Sequence, residues 1–185
     1  MGAIGDSIEA ALQAASTRPL PASPTKRMEI IVRAENGSTK RAAARLGCSQ
    51  RQVERYLKGE VRRPTPRLAA ALEGEARRDW QPRVRQRAIR RAGQVGITVE
   101  TRARFGFRAA AGSTDDARMR RITEQIDPWT ARALLAAYQA GKTEDQLSEI
   151  LAEGLAYAYF QDRGRRAAGL DVTMTDIDYL DVELG

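Results

Sequence analysis

The chain has 185 residues, with 31 Lys and Arg against 24 Asp and Glu, 42% hydrophobic and 5% aromatic residues, one cysteine (Cys48) and no histidine. That length suits one domain of ordinary size or two small ones, lightly cored and filled by alanine more than by rings. One cysteine and no histidine exclude an internal disulfide framework, Cys- or His-based metal sites and imidazole-activated nucleophiles, so no metal or cofactor of its own is expected. No apolar run has the length of a membrane span and no signal-peptide core opens the chain, which reads as cytoplasmic with no membrane partner.

Charge is unevenly distributed. Residues 51–108 carry 16 basic and 6 acidic side chains, whereas residues 109–185 carry 8 basic and 14 acidic ones. A basic middle against an acidic end implies two tasks, with polyanion binding in the first hundred or so residues.

In chain order, residues 5–16 form a short amphipathic helix with Ile4, Ile8, Leu12 and Ala15 on one side. A proline-rich linker, 17–24, follows, then a helix from about Thr25 that stops at Asn36-Gly37. The stretch STKRAAARLGCSQRQVERYLKG (38–59) then has the order of a helix-turn-helix: Ser38 caps one helix, Gly47 supplies the left-handed turn, and Ser49 caps a second helix with Val53, Tyr56 and Leu57 inward. Ser49, Gln50, Arg51, Gln52, Arg55 and Lys58 are left to face a partner, and Gln and Arg make paired hydrogen bonds with adenine and guanine edges in the major groove. A three-helix bundle with a solvated charged face is the competing reading. Arg62 and Arg63 lie in a loop suited to phosphates. Residues 66–92 read as one long helix or two broken near Gln81-Pro82, the second part bearing Arg83, Arg85, Arg87, Arg90 and Arg91 as candidate phosphate contacts.

From Ile97 the pattern alternates: Ile97, Val99, Ala103, Phe105 and Phe107 on one face, Thr98, Glu100, Arg102, Arg104 and Arg108 on the other. A weaker strand is expected over 119–126. Asp127-Pro128 opens a helix that Gly141 ends, and Thr143 to Gln146 is a capping box for a helix to about Arg163-Gly164. Residues 171–184 alternate again, with slips of register that imply a bulge. The expected fold class is α+β: an N-terminal all-helical helix-turn-helix domain, then a small β-β-α-α-β domain with a three-stranded, mainly antiparallel sheet. The expected segments are 1–24 (helix and linker), 25–93 (helix-turn-helix domain with the basic helix) and 94–185 (α+β domain). Between the first two strands, AAAGSTDDA (109–117) is a loop too long for a tight turn.

WQPRVRQRA (80–88), TRARFGF (101–107), STDDARMRRIT (113–123), AEGLA (152–156) and TDIDYLDVEL (175–184), in this order, resemble the telomere-protecting terminal proteins (Tpg) of Streptomyces linear chromosomes and plasmids. The resemblance runs from about residue 3 to the C-terminus. It implies a protein that becomes joined to the 5′ ends of linear DNA, with Thr114 as nucleotide acceptor, Ser113 as second choice, and Asp115 and Asp116 supporting the loop. It further implies that the protein is a primer and not an enzyme. The chemistry would fall to a partner DNA polymerase bringing Mg2+ and the deoxynucleotide (dNTP). Its other partners would be telomeric DNA, as single-stranded 3′ overhang and as duplex, and a telomere-associated protein (Tap). It would lie with the nucleoid at the ends of linear DNA.

The acidic C-terminal half admits two readings, a DNA mimic that enters the polymerase channel or an ordinary acidic surface. Two rivals stand beside the terminal protein. One is a helix-turn-helix transcriptional regulator with a C-terminal dimerisation domain. The other is a nuclease using Asp176, Asp178, Asp181 and Glu183 as metal ligands, for which no partner motif exists. Self-association stays open.

Overall fold

A computed structural model describes residues 2–108, 114–165 and 170–185, with residues 107, 108 and 114–116 as backbone alone. The fold is mixed α+β, mostly helical at first and closing on a three-stranded sheet. It divides into two compact units: Ser16–Pro82, and Met1–Ala15 together with Arg83–Gly185. No helix among the described residues is long and apolar enough to cross a membrane.

The first unit holds four helices, α2 (Pro24–Ala34), α3 (Thr39–Leu46), α4 (Gln50–Leu57) and α5 (Pro66–Asp79). Hydroxyl caps start each of the last three, and α2 starts on Ser23 with proline at its first position, where the missing amide costs nothing. Asn36 and Gly37, both at positive φ, end α2 where the Asn-Gly pair predicts. Met28, Ile31, Ala42, Ala43, Leu46, Val53, Tyr56, Leu68, Leu72 and Ala76 bury together as the core. Arg45 ties α3 to its neighbours through Glu75 at 2.5 Å, Asp79 at 2.8 Å and Glu35 at 3.3 Å. The linker is held too: the Trp80 indole donates to the Arg18 carbonyl at 2.9 Å, and Thr17 donates to the Gln81 side chain. Residues 66–95 are two helices and not one. The chain breaks at Gln81, which has φ 49°, before the second helix opens on Pro82.

The second unit is built on α1 (Ala3–Ala14), α6 (Pro82–Val95), β1 (Ile97–Arg108), β2 (Thr114–Ile126), α7 (Pro128–Gln139), α8 (Glu144–Leu155), a π-helical turn (Ala156–Phe160) and β3 (Asp171–Leu184). The strands run in the order β2-β1-β3, each pair antiparallel. Ile97, Val99, Ala103 and Phe105 turn inward as the alternation predicts, and Thr101 joins them fully buried because its hydroxyl donates to the Tyr179 carbonyl at 2.9 Å. Between Arg102 and Arg104 the β3 partner moves from Tyr179 to Thr175, so three residues of β3 stand opposite Ala103: the expected bulge, with Asp176 at φ 45°. Tyr179, grouped by the alternation with Ile177, lies on the outer face instead.

Two expected boundaries are corrected. Residues 1–24 are not a separate segment and the helical unit does not extend to 93. Ile4, Ile8 and Leu12 are fully buried in the core of the sheet unit, and Ala88, Ile89 and Ala92 of α6 join the same core. Burying one such side chain contributes about 1.5–3 kcal/mol, so α1 needs that core to fold. Glu144, at the start of α8, caps it by accepting the amides of Ile4 at 2.6 Å and Gly5 at 3.3 Å. The helical unit is therefore an insertion between α1 and α6 of the sheet unit.

Candidate nucleic-acid interface and acceptor residue

The turn between α3 and α4 follows from local chemistry. Ser38 Oγ accepts the Arg41 amide, Gly47 sits at φ 63° and ψ 36°, and Ser49 Oγ accepts the Gln52 amide at 3.2 Å. Val53 and Tyr56 are buried, which leaves the opposite side of α4 outward. Gln50, Arg51, Arg55 and Lys58 are exposed there and Gln52 is half-buried. Gln50 donates to Thr39 and Glu54, both at 3.0 Å, and Arg55 pairs with Glu60 at 3.2 Å. These contacts are solvated and contribute at most about 1 kcal/mol each, so an entering ligand displaces them at little cost. Arg51, Lys58, Arg62 and Arg63 are exposed and have no ion-pair partner among the described residues.

Arg51, Arg55 and Arg63 converge on a groove of about 400 Å³ between α4 and the 61–65 segment, with Gln52, Val61 and Thr65 also on its walls. Three arginines on the walls of one concavity favour an anion there. Sequence reasoning named Arg51, Arg55 and Arg63 separately; the groove that joins them was not legible.

The basic helix α6 behaves differently from its composition. Arg83, Arg87, Arg90 and Arg91 lie on one exposed stripe. Arg85 is two residues from Arg83 and Arg87 and therefore on the opposite face, where it cannot touch phosphates. Its guanidinium grips Glu9 of α1 with both nitrogens, at 2.9 and 2.7 Å, and the two side chains are only 13% and 10% exposed. Tyr138 of α7 completes this node by donating to Glu9 at 2.6 Å. Burial pushes the Glu9 carboxyl up, but the Arg85, Tyr138 and Gln13 hydrogen bonds outweigh it and hold Glu9 below its ordinary value. Burial and the Glu9 carboxylate push the Tyr138 phenol up to about 12. Arg85 is thus a structural residue, a correction to its expected role on DNA.

Thr114 is not within a loop but is the first residue of β2, paired with Arg108. Residues 109–113, Ser113 among them, lie outside the described residues. Asp115 pairs with Phe107, then the register shifts so that Arg118 meets Phe105. Asp116 and Ala117 thus stand opposite Gly106 as a bulge. A Cβ at Gly106 would come within 3.3 Å of the Ala117 Cβ and 3.2 Å of the Thr173 hydroxyl, a tight fit that either neighbour would have to relieve by a few tenths of an ångström. The structure brings Thr114, Asp115 and Asp116 together at one end of the hairpin.

On the open face of the sheet, acidic residues meet the arginines of the central and edge strands. Arg104 pairs with Asp176 at 2.9 Å, Arg102 with Asp178 at 3.2 Å and Arg121 with Glu100 at 2.5 Å. The Tyr179 hydroxyl donates to Glu100 at 2.8 Å. Asp176 and Asp178 are counter-ions on this face, and among the described residues no three His, Cys, Asp or Glu side chains gather as metal ligands would. The chain matches no family model, no curated protein and no solved structure.

Proposed function

We propose that this chain is a terminal protein: it binds DNA through the α3–α4 helix-turn-helix and offers the Thr114 hydroxyl as the primer for DNA synthesis at the end of a linear replicon. The exposed arginine groove beside α4 supports the binding half of this reading, since base-edge donors and phosphate-pairing groups lie side by side there. The resemblance of STDDARMRRIT and its companion strings supports the priming half.

The chemistry asks little of the protein. Thr114 Oγ attacks the α-phosphorus of a deoxynucleotide, a phosphoester bond forms, the α–β phosphoanhydride breaks and pyrophosphate leaves. The partner polymerase's Mg2+ ions would activate the attacking oxygen and neutralise the leaving group, the hydroxyl proton passing to solvent. Threonine is a secondary alcohol, as is the 3′-hydroxyl it replaces. The protein need only hold that oxygen about 3–3.5 Å from phosphorus. The Tap protein and the telomeric overhang belong to the same reading as partners.

Incubating the protein with a labelled deoxynucleotide, a DNA polymerase, Mg2+ and a telomere-end template tests it. Label on the protein that survives boiling in detergent is expected. A transcriptional regulator, the second reading, is favoured by the same outward face of α4, and it would bind duplex without acquiring label. A template shortened with no label on the protein would mark a nuclease and contradict both.

A further inference from the structure

Between α8 and β3 the sheet unit carries AYAYFQDRGR (156–165), only part of which serves its core. Ala156 and Ala158 are buried, and Phe160 packs on Phe105 with ring centroids 5.7 Å apart. Tyr157 and Tyr159 are instead 45% and 44% exposed. Neither hydroxyl has a hydrogen-bond partner among the described residues. Tyr159 meets Phe160 edge-on with ring centroids 4.9 Å apart, yet both tyrosine rings stay nearly half open.

The backbone here is also unusual. The π-helical turn closes with the Gln161 amide donating to the Ala156 carbonyl at 2.8 Å. Asp162, Arg163 and Gly164 follow in succession at φ 47°, 55° and 83°. Such geometry is strained for residues other than glycine, and π turns and left-handed runs concentrate at functional sites. The Arg163 amide donates to the Tyr157 carbonyl at 2.8 Å, which pins the strained turn to the root of the first ring. Arg163 and Arg165 are exposed directly after the two tyrosines.

We propose that Tyr157, Tyr159, Arg163 and Arg165 form a binding site for single-stranded nucleic acid, with bases stacked on the rings and phosphates paired with the guanidiniums. Every base offers a π-face and the guanidiniums pair with phosphates common to all sequences, so the site tolerates any sequence and weakens with salt. A duplex keeps its bases inside the stack and cannot use it. Arg163 and Arg165 outnumber Asp162 in this segment, within a half of the chain where acidic residues prevail. The site rests on the nucleic-acid reading above only for the identity of the polymer. It needs neither base reading by α4 nor nucleotide transfer at Thr114.

Fluorescence anisotropy of the full chain with a labelled oligothymidylate and with a labelled duplex separates these sites. Replacing Tyr157 and Tyr159 by Ala weakens oligothymidylate binding at least about tenfold and leaves duplex affinity within about twofold. Tyr157→Phe with Tyr159→Phe restores the single-strand affinity, because the ring and not the hydroxyl stacks. An oligonucleotide bearing 5-iododeoxyuridine crosslinks to the peptide that contains residues 157–159. Oligothymidylate binding unchanged by the alanine pair, no binding by the wild type, crosslinks confined to another peptide, or equal loss of both ligands would each overturn the proposal. Loss of duplex binding in Arg51→Ala with Arg55→Ala, with single-strand binding retained, leaves this site standing. If duplex is not bound by the wild type either, the reading of α4 fails and this site does not.

Discussion

The outward side of α4 and the strands of the sheet use arginine in opposite ways. Around α4 the guanidiniums of Arg51, Arg62 and Arg63 are exposed without ion partners among the described residues, and Arg55 has only a solvated one. In the sheet unit Arg85 is locked to a buried carboxylate, and Arg102, Arg104 and Arg121 each meet an acidic residue across strands. The net charge of a segment therefore does not identify an interface. What identifies it is whether the fold has already supplied the counter-charge.

The strongest test of that contrast is Arg85. Arg85→Ala leaves Glu9 buried with only Tyr138 and Gln13 as donors, and breaking a buried pair from one side costs about 3–5 kcal/mol. We expect a lower Tm by calorimetry and detachment of α1. If Arg85→Ala is as stable as wild type, the node does not hold the unit together. The same node sets a pH window. Glu9 is held below its ordinary value near 4.5, so its contribution is complete above that value and is lost as pH falls through the lowered one. Tyr138 is raised from 10 to about 12, so its contribution is complete below 10 and is lost as pH rises toward 12. Denaturant titrations across pH should show both losses, and Tyr138→Phe should remove the alkaline one.

A smaller effect separates the two basic surfaces. Arg51→Ala and Arg55→Ala should each cost about 1–3 kcal/mol of duplex affinity if they make paired base contacts, with specificity relaxed. Replacing Arg83, Arg87, Arg90 and Arg91 by Ala should weaken binding to all sequences and flatten its salt dependence. Arg85 is left out because its side chain is not available. An unchanged salt slope in the four-residue variant would remove α6 from the DNA surface.

The smallest effect belongs to the outer face of the sheet. Asp176→Asn and Asp178→Asn remove solvated partners of Arg104 and Arg102, and surface changes of this kind stay within about 0.5 kcal/mol. Denaturant midpoints should barely move. A large loss would show that the cross-strand pairs carry the sheet.

Local signals made much of this legible. Ser38, Gly47 and Ser49 punctuate the chain within a dozen residues, and each acts on its own neighbours, so sequence alone locates the turn. The same holds for Asp127-Pro128 and for the Thr143–Gln146 capping box. The alternation from Ile97 defines β1. What sequence hid depends on distant partners. The amphipathic face of α1 is visible, but nothing within it says that Glu144, 140 residues from Ile4, caps it. Arg85 looks like its four neighbours until Glu9 is brought beside it. The first residues of β2, TDDAR, have no apolar alternation, and only pairing with β1 makes them a strand. The π-helical turn is hidden too, since AYAYF bears no local signal for it, and its last residue, Phe160, meets Phe105 across the unit.

The central claim concerns one oxygen. After transfer from a labelled deoxynucleotide, digestion and mass spectrometry of the peptide spanning residues 109–118 identify the modified side chain. Modification at Thr114 is expected, with Thr114→Ala unlabelled yet folded and DNA-binding, Thr114→Ser partly active, and Ser113→Ala labelled as wild type. A nucleotide on Ser113, or full labelling of Thr114→Ala, would contradict the account.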